Sequence, residues 1–383
     1  MDDRKASFRS NSPADRRTSD LVRLVRAPAA LSVPGDVLAG AAAARTPWHP
    51  RVLGTTASSV CMYWAGMALN DYADATIDAV ERPDRPIPSG RVPRRTALAV
   101  ATGLTAASLA LAAVTGGRRG LVGALPLAGL VWAYDLGLKS TPAGPAVMAG
   151  ARAADVLTGA LAVAPPGAGA AALRRGALPA ALIGAHTYTL TALSRHEITG
   201  APASVPGRTL AASTGAVVLT AAGPVGRGLR GSGTGSGWGA GKGSAGAGRG
   251  AGGGAAPLAS GAGRGARSGT ASASAAIGTA PPAPATPVRA LLDTRPRDLR
   301  TAATALLVGG AALAYLGTYG AAQAKALAAP SGDNVRGAVG AGITALVPLQ
   351  AALTARAGSP IAAALLGAVH PLARRLARRI SPT

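Results

Sequence analysis

The chain of 383 residues is 48% hydrophobic and 14% charged, with a mean hydropathy of +0.28, which excludes an ordinary soluble enzyme and indicates several membrane spans diluted by polar segments. A formal charge of +23 would suit a nucleic-acid-binding protein. The sequence shows no basic helix, however, and aromatic residues, which could stack on bases, are only 3%, so no nucleic-acid partner is predicted. Cys61 is the single cysteine, which excludes disulfides within the chain and cysteine zinc sites.

The chain begins with a polar segment and continues in apolar stretches. Residues 1–20 are charged and lack the apolar core and cleavage site of a signal peptide, so we expect a disordered basic arm. Beyond the arm, a span needs about 20 mostly apolar residues. Nine stretches meet that requirement: residues 21–44, 51–70, 96–115, 120–137, 144–164, 176–193, 208–223, 300–327 and 336–356.

A run of carboxylates follows the second predicted span, where the chain leaves the bilayer. On a helix, Asp71, Asp74 and Asp78 would lie on one face about one turn apart. Their mutual repulsion would be relieved by a divalent cation, and Mg²⁺ suits such a site because it takes hard oxygen ligands and shares its shell with substrate phosphates. The motif predicts a site for a metal-bound diphosphate. The alternative is a solvated surface with ordinary helix pairs, such as Asp78 with Arg82.

Several polar residues lie inside predicted spans, where lipid would penalise them. Arg152 and Asp155 are three residues apart in the fifth span, so they can reach one another. The pair is expected either to serve the site or to neutralise itself and hold the bundle. Asp36 in the first span and Gln350 in the last are expected to face a cavity, and Asp36 could bind an acceptor hydroxyl.

The composition changes abruptly after the seventh span. Residues 224–299 are rich in Gly, Ala, Ser and Arg and bury too little apolar surface to offset their ordering entropy, so a flexible loop is predicted. Residues 300–356 hold the last two spans. Residues 357–383 join an apolar stretch to a group of arginines, which predicts an interfacial or tenth helix and a basic tail.

The basic loops indicate how the chain crosses the membrane. Positive-inside bias places the N-terminal arm and the arginine-rich loop that spans residues 82–95 on the cytoplasmic side. Lys139 follows the fourth span. Under the same bias its alternative role is to mark the cytoplasmic side of the membrane. We expect a multi-pass protein of the bacterial cell membrane in contact with membrane lipids.

Two motifs together carry a family resemblance. The first is the run from Asn70 to Asp78 with its exit Arg85-Pro86-Ile87-Pro88-Ser89-Gly90, and the second is the loop Tyr134-Asp135-Leu136-Gly137-Leu138-Lys139. In order and spacing they resemble the UbiA superfamily of intramembrane prenyltransferases, and the resemblance covers most of the chain apart from the arm, the insert and the tail. It implies an all-α fold, a polytopic membrane bundle of about nine transmembrane helices around a central cavity, in which residues 21–223 carry the diphosphate and metal motifs.

The resemblance also implies a chemistry. The expected cofactor is Mg²⁺, and the expected partners are an isoprenoid diphosphate and a small acceptor, in this family commonly aromatic. Diphosphate leaves only if its growing negative charge is stabilised by metal ions and by Lys or Arg in a water-poor cavity. The implied catalytic residues are Asp71, Asp74, Lys139 and Arg195. The implied metal ligands are Asp71, Asp74, Asp78 and Glu197, and the implied substrate-binding residues are Asn70, Arg85, Tyr134, Arg152, Glu197 and Asp36.

The chain departs from the family pattern after the sixth span, where a second aspartate-rich motif is usual. The counterpart reads Leu193-Ser194-Arg195-His196-Glu197-Ile198 and holds one acid. Either Glu197 completes a second cation site, or Arg195 contacts the diphosphate and replaces a metal electrostatically. His196 is either a proton acceptor or an interfacial residue without a role.

The weakened second motif leaves more than one function open. The first hypothesis is prenyl transfer, and the alternative is a non-catalytic membrane protein that binds an isoprenoid lipid at a degenerate site. A third reading, alcohol phosphotransfer from a nucleotide-activated lipid, needs an Asp-Gly pair after the first acids. Ala75 follows Asp74 here, so the motif argues against that reading.

Overall fold

The computed structural model of the protein describes residues 32–222 and 296–380, together with Asp20, Leu21, Leu24 and Ala30. All regular secondary structure in these residues is helical, which confirms the predicted all-α class. The expectations for the N-terminal arm and for most of the 224–299 insert lie outside the described residues. The last residues assigned to that insert already belong to a helix, which begins at Pro296.

The described helices overlap the predicted spans, although α1 begins at Val33, well inside the first of them. They are numbered here in chain order: α1 (Val33–Ala43), α2 (Arg51–Ala73), α3 (Ala75–Glu81), α4 (Arg94–Ala133), α5 (Gly144–Ala162), α6 (Gly169–Ser194), α7 (Ser204–Ala221), α8 (Pro296–Tyr315), α9 (Ala321–Ala328), α10 (Gly332–Arg356) and α11 (Pro360–Ile380). A π-helical turn, Tyr134–Leu138, continues α4, and a second, Leu316–Gly320, joins α8 to α9.

Four helical stretches among the described residues are long and apolar enough to cross a membrane: Arg51–Ala73, Arg94–Leu138, Leu299–Ala328 and Gly332–Arg356. The protein is therefore a multi-pass membrane protein. This number does not confirm the predicted nine spans, because several of the other helices are shorter or less apolar than a free-standing span requires.

The longest of these stretches is a hairpin of two helical arms. Its backbone reverses at Gly117, with φ 59° and ψ −145°, a conformation that is essentially open only to glycine. The indole N–H of Trp132 donates to the hydroxyl of Thr105 at 3.1 Å. In a straight helix these two residues would be about 40 Å apart. The third and fourth predicted spans are thus the antiparallel arms of α4.

Replacing Gly117 with alanine is expected to destabilise the protein by about 1–3 kcal/mol, because a Cβ is strained in this backbone conformation. Thermal unfolding of the detergent-solubilised protein measures the effect. The matched control is Gly116→Ala, since the neighbouring glycine has no positive φ and a Cβ there meets nothing within 4 Å. Equal unfolding temperatures for the two variants would contradict the assignment of the reversal to Gly117.

The helices near the predicted site pack through their backbones. A Cβ added at Gly40 on α1 would overlap the carbonyl oxygen of Val156 on α5, and a Cβ at Gly159 would overlap the backbone of Val37. Such close approach of small residues is the usual way in which helices associate in lipid. It fixes α1 against α5 along one side of the molecule.

The C-terminal helices are joined to the rest by a buried polar cluster. The Nδ1 of His186 on α6 lies 3.0 Å from the hydroxyl of Tyr315 on α8, and that hydroxyl donates to Ser213 on α7 at 3.2 Å. All three side chains are buried. Further along the chain, Ala363 of α11 packs with Val308 and Ala355, so the predicted helix after the last span is present and lies against α8 and α10.

Candidate functional site

A cavity of about 260 Å³ lies between α1, α2, the second arm of α4 and α5. Polar residues stand at its two ends, and the wall between them is almost entirely apolar. The wall is formed by Val33, Met62, Tyr63, Gly66, Met67, Leu127, Val131, Met148 and Ala151. A long apolar wall between polar ends suits a ligand with a hydrocarbon body.

Two carboxylates of the predicted motif converge on one cation beside the outer end of the cavity. The Nη1 atom of Arg85 lies 2.5 Å from Asp78 Oδ2 and 3.4 Å from Asp71 Oδ1. Both aspartates are buried, with only 4% and 3% of Asp71 and Asp78 exposed. The exit loop after α3 therefore carries an arginine back over the motif, and the two acids are neither splayed into solvent nor turned to lipid.

The third carboxylate has a different partner. Asp74 interrupts the helix, since α2 ends at Ala73 and α3 begins at Ala75. Its Oδ1 atom lies 2.5 Å from Nζ of Lys139, in the loop after α4. Backbone hydrogen bonds of helical spacing nevertheless continue through this residue, from the N–H of Asp74 to Asn70 and from the N–H of Asp78 to Asp74, so the stacking of the three acids on one helical face stays a prediction. Lys139 pairs with Asp74, Arg85 pairs with Asp71 and Asp78, and Arg82 also comes within 4.0 Å of Asp78.

A fourth acid reaches the outer end of the cavity from α4. Asp135 is 5% exposed, lies in the π-helical turn, and accepts a hydrogen bond of 3.2 Å from the side-chain amide of Asn70. Both residues line the cavity together with Tyr134. Asp135 was absent from the residues predicted for the site, although a carboxylate next to Tyr134 at the end of an apolar span was the signal that could have found it.

Arg195 directly follows α6 and contacts backbone atoms of the loop that holds Lys139. Its Nη2 atom donates to the carbonyl oxygen of Lys139 at 2.8 Å and also to that of Thr141. The guanidinium thus holds the loop that presents Lys139 to Asp74. In this arrangement Arg195 positions the loop.

Glu197 lies in the segment between α6 and α7. Its backbone carbonyl accepts a hydrogen bond of 3.2 Å from Arg336 at the start of α10. Partial burial raises the pKa of its carboxyl group, and the positive charges of Arg336 and Arg82 act in the opposite direction. The role of this residue as a metal ligand remains a prediction.

The donor atoms at the motif are compatible with a divalent ion. Among the described residues, no group of three or more His, Cys, Asp or Glu side chains is arranged to hold a metal. Asp71 and Asp78 nevertheless direct carboxylate oxygens at one cationic group, and hard oxygens of this kind are the ligands that Mg²⁺ prefers. Asp71 and Asp78 are therefore the residues that would hold such an ion.

The inner end of the cavity is polar as well. Arg152, which lines it, places Nε 2.9 Å from Oδ2 of the fully buried Asp36, and Gln350 donates to Oδ1 of the same aspartate at 2.6 Å. The predicted pairing of Arg152 with Asp155 is therefore not the one observed. Asp155 accepts instead from Ser59 on α2 at 2.5 Å. The close packing of α1 on α5 brings Asp36 beside Arg152, which sequence spacing could not show.

Comparison with known proteins places this geometry in a family. The sequence profile of the UbiA prenyltransferase family matches residues 33–222, which include the carboxylate motif, the Lys139 loop and every helix around the cavity. The chain belongs to the UbiA prenyltransferase family. A solved structure described as digeranylgeranylglyceryl phosphate synthase in membranes has the same fold, with a TM-score of 0.52 and 13% identity over 89% of this chain and 98% of that one.

Two archaeal proteins show how far the sequence similarity extends. Digeranylgeranylglyceryl phosphate synthase of Methanopyrus kandleri is 41% identical over 110 residues, which are 29% of this chain and 38% of that protein. The enzyme of the same name from Halobacterium salinarum is 38% identical over 156 residues, which are 39% and 55% of the two chains. This UbiA family member thus spans about half the length, or less, of these relatives.

Proposed function

We propose that the protein is a metal-dependent prenyltransferase of the bacterial cell membrane, which moves an isoprenoid group from an allylic diphosphate to a small acceptor. One observation carries the proposal: Asn70, which lines the outer end of an apolar cavity, directly precedes Asp71 in a group of paired acids and cations. The acids can hold a metal, the cations can bind phosphate oxygens, and the wall suits a prenyl chain. Membership of the UbiA family supports the same conclusion.

The residues at the outer end can each be given a role in such a transfer. Asp71 and Asp78 would hold Mg²⁺, which when bound offsets the charge that develops on the departing diphosphate. Arg85, released from the two carboxylates, would turn its donors to phosphate oxygens, and Lys139 would add a second positive charge. The allylic carbon–oxygen bond breaks with its electron pair going to the diphosphate, a new bond forms between that carbon and the acceptor, and the proton that the acceptor loses is taken up by the released diphosphate.

The class of acceptor is the finer part of the proposal. The name shared by the archaeal relatives refers to a glyceryl phosphate that carries geranylgeranyl groups. This name supports an alcohol on a glyceryl phosphate as the acceptor, whereas the family resemblance of the motifs suggested a small aromatic one. The glyceryl phosphate and the small aromatic acceptor should therefore both be assayed.

A second candidate function is favoured by the position of Glu197. Its backbone carbonyl accepts from Arg336, and among the residues that the structure describes no three His, Cys, Asp or Glu side chains form a group that could hold a metal. A protein with one incomplete cation site could bind an isoprenoid diphosphate without turning it over. Tight binding of the donor with no product from either acceptor class would favour this reading.

The function is tested with purified protein in lipid nanodiscs. Allylic diphosphates of 10, 15 and 20 carbons are supplied with Mg²⁺ and either a glyceryl phosphate lipid or a small aromatic acid. We expect release of diphosphate that requires one of the acceptors, stops when the metal is chelated and returns when Mg²⁺ is restored. Mass spectrometry of lipids from cells with and without the protein identifies the product. Release that ignores both the metal and the acceptor would contradict the proposal.

Arg195→Gln is expected to lower the rate of transfer about tenfold, because the loop that presents Lys139 loses its two hydrogen bonds. The loss should fall on kcat more than on KM, since Lys139 acts most strongly on the charge of the leaving group. Arg195→Lys should recover most of the rate, as an ammonium group can donate to both carbonyl oxygens. The matched control is Arg174→Gln, an exposed arginine near the other end of α6. Equal losses in the Gln and Lys variants would argue against a positioning role.

A further inference from the structure

We propose that the polar inner end of the cavity limits the enclosed part of the donor tail to about three isoprene units, so that a chain of about 15 carbons fills the cavity. The inference rests on the proposed function, because it takes the diphosphate to lie at the outer end beside Asn70. It assigns Ser59, Arg152 and Asp155 a role in selecting chain length.

The depth of the cavity follows from the residues of α2 that line it. Ser59, Met62, Gly66 and Asn70 recur at helical spacing and therefore lie along one face of the helix. Asn70 and Ser59 are three turns apart, which is about 16 Å along the axis. An extended isoprene unit advances about 5 Å, since it adds four bonds of ordinary carbon–carbon length to the chain. About three units therefore reach from the outer end to Ser59.

The chemistry of the cavity changes at that depth. The wall is apolar as far as Met62 and Ala151, and beyond it stand Arg152, Asp155 and Ser59. Asp155 is bound to Ser59, and Arg152 is paired with the buried Asp36, so neither charge can swing away without losing its partner. The inner end is therefore rigid as well as polar.

A fourth isoprene unit would gain nothing from entering this region. Apolar surface is stabilised by leaving water for an apolar environment, and ion-paired side chains do not provide one. The Nη2 atom of Arg152 is buried and makes no hydrogen bond to another residue, so a hydrocarbon placed against it would keep the donor unpaired. The modest volume of about 260 Å³ points the same way.

The test measures binding of the donor alone, so that it does not depend on the acceptor. Unreactive thiolodiphosphate analogues of geranyl, farnesyl and geranylgeranyl diphosphate are titrated with Mg²⁺ into the nanodisc-embedded protein, and binding is followed by native mass spectrometry. Affinity should rise at least about tenfold from 10 to 15 carbons and less than about twofold from 15 to 20. A chain that leaves sideways between the helices would instead gain affinity at each step.

Two variants change the depth of the cavity in opposite directions. Met62→Trp fills the cavity about two turns below Asn70, so the gain from 10 to 15 carbons should disappear. Leu125→Trp is its control, because that side chain is 54% exposed and does not line the cavity. The double variant Ser59→Ala with Asp155→Val removes the hydrogen-bonded pair together, so the inner end becomes more apolar and a gain from 15 to 20 carbons should appear.

The outcomes separate the two proposals. Equal gains in affinity from 10 to 15 and from 15 to 20 carbons, unaffected by Met62→Trp, overturn the limit on chain length. The Met62→Trp variant decides this question even if the double variant does not fold. A length profile that responds to Met62→Trp without any turnover upholds the limit and overturns the transfer function. No binding of any analogue overturns both.

Discussion

Asp71→Asn and Asp78→Asn are each expected to lower diphosphate release about 10³-fold. The two buried carboxylates converge on one cation position, and an amide in place of either one removes a negative charge that, under the proposed function, would hold the metal. The shape of the side chain is kept, so the effect is electrostatic. The measurement is the rate of diphosphate release in nanodiscs as the Mg²⁺ concentration is raised.

The control for this pair is Asp84→Asn. Asp84 lies in the same exit loop and is exposed, and its contact with Arg91 is made by the backbone carbonyl, so the same chemical change there should leave the rate unchanged. Weaker binding of the metal should raise the Mg²⁺ concentration needed for half-maximal rate in both variants. An Asp71→Asn protein that folds and retains more than about half of the rate would remove the motif from the mechanism.

Gly40→Leu is expected to prevent stable folding, with a loss of at least about 3 kcal/mol. Even a methyl group at this position would overlap the carbonyl oxygen of Val156, and backbone atoms cannot move aside as the end of a side chain can. The measurement is the unfolding temperature and the yield of monodisperse protein in detergent.

Gly129→Leu is the matched control for this substitution. Gly129 lies in the second arm of α4, is exposed, and a Cβ there meets nothing within 4 Å, so the same side chain should be tolerated. The smaller change Gly40→Ala should give an intermediate loss. Similar stability of the Gly40 and Gly129 variants would show that α1 and α5 do not approach as closely as described.

Much of the fold could be predicted because helix positions in a membrane protein depend on local composition. A run of apolar residues of sufficient length must satisfy its backbone by forming a helix, so the stretches at 51–70, 144–164 and 336–356 coincide with helices. The position of the reversal at Gly117 agrees with the boundary between the third and fourth predicted spans. The acids from Asp71 to Asp78 were recognised as a group for the same reason, because they are close together in the sequence.

The pairing of charges could not be predicted, because it depends on which helices pack together. Spacing along one helix suggested that Arg152 pairs with Asp155, whereas the packing of α1 supplies Asp36. Ser59 and Asp135 were missed for a related reason, since a polar residue in an apolar span gives no indication of the direction in which it faces.

The buried contact between His186, Tyr315 and Ser213 is where α8 meets α6 and α7. Because these hydrogen bonds are made by side chains of the three helices themselves, the C-terminal helices carry their own means of recognising the rest of the bundle.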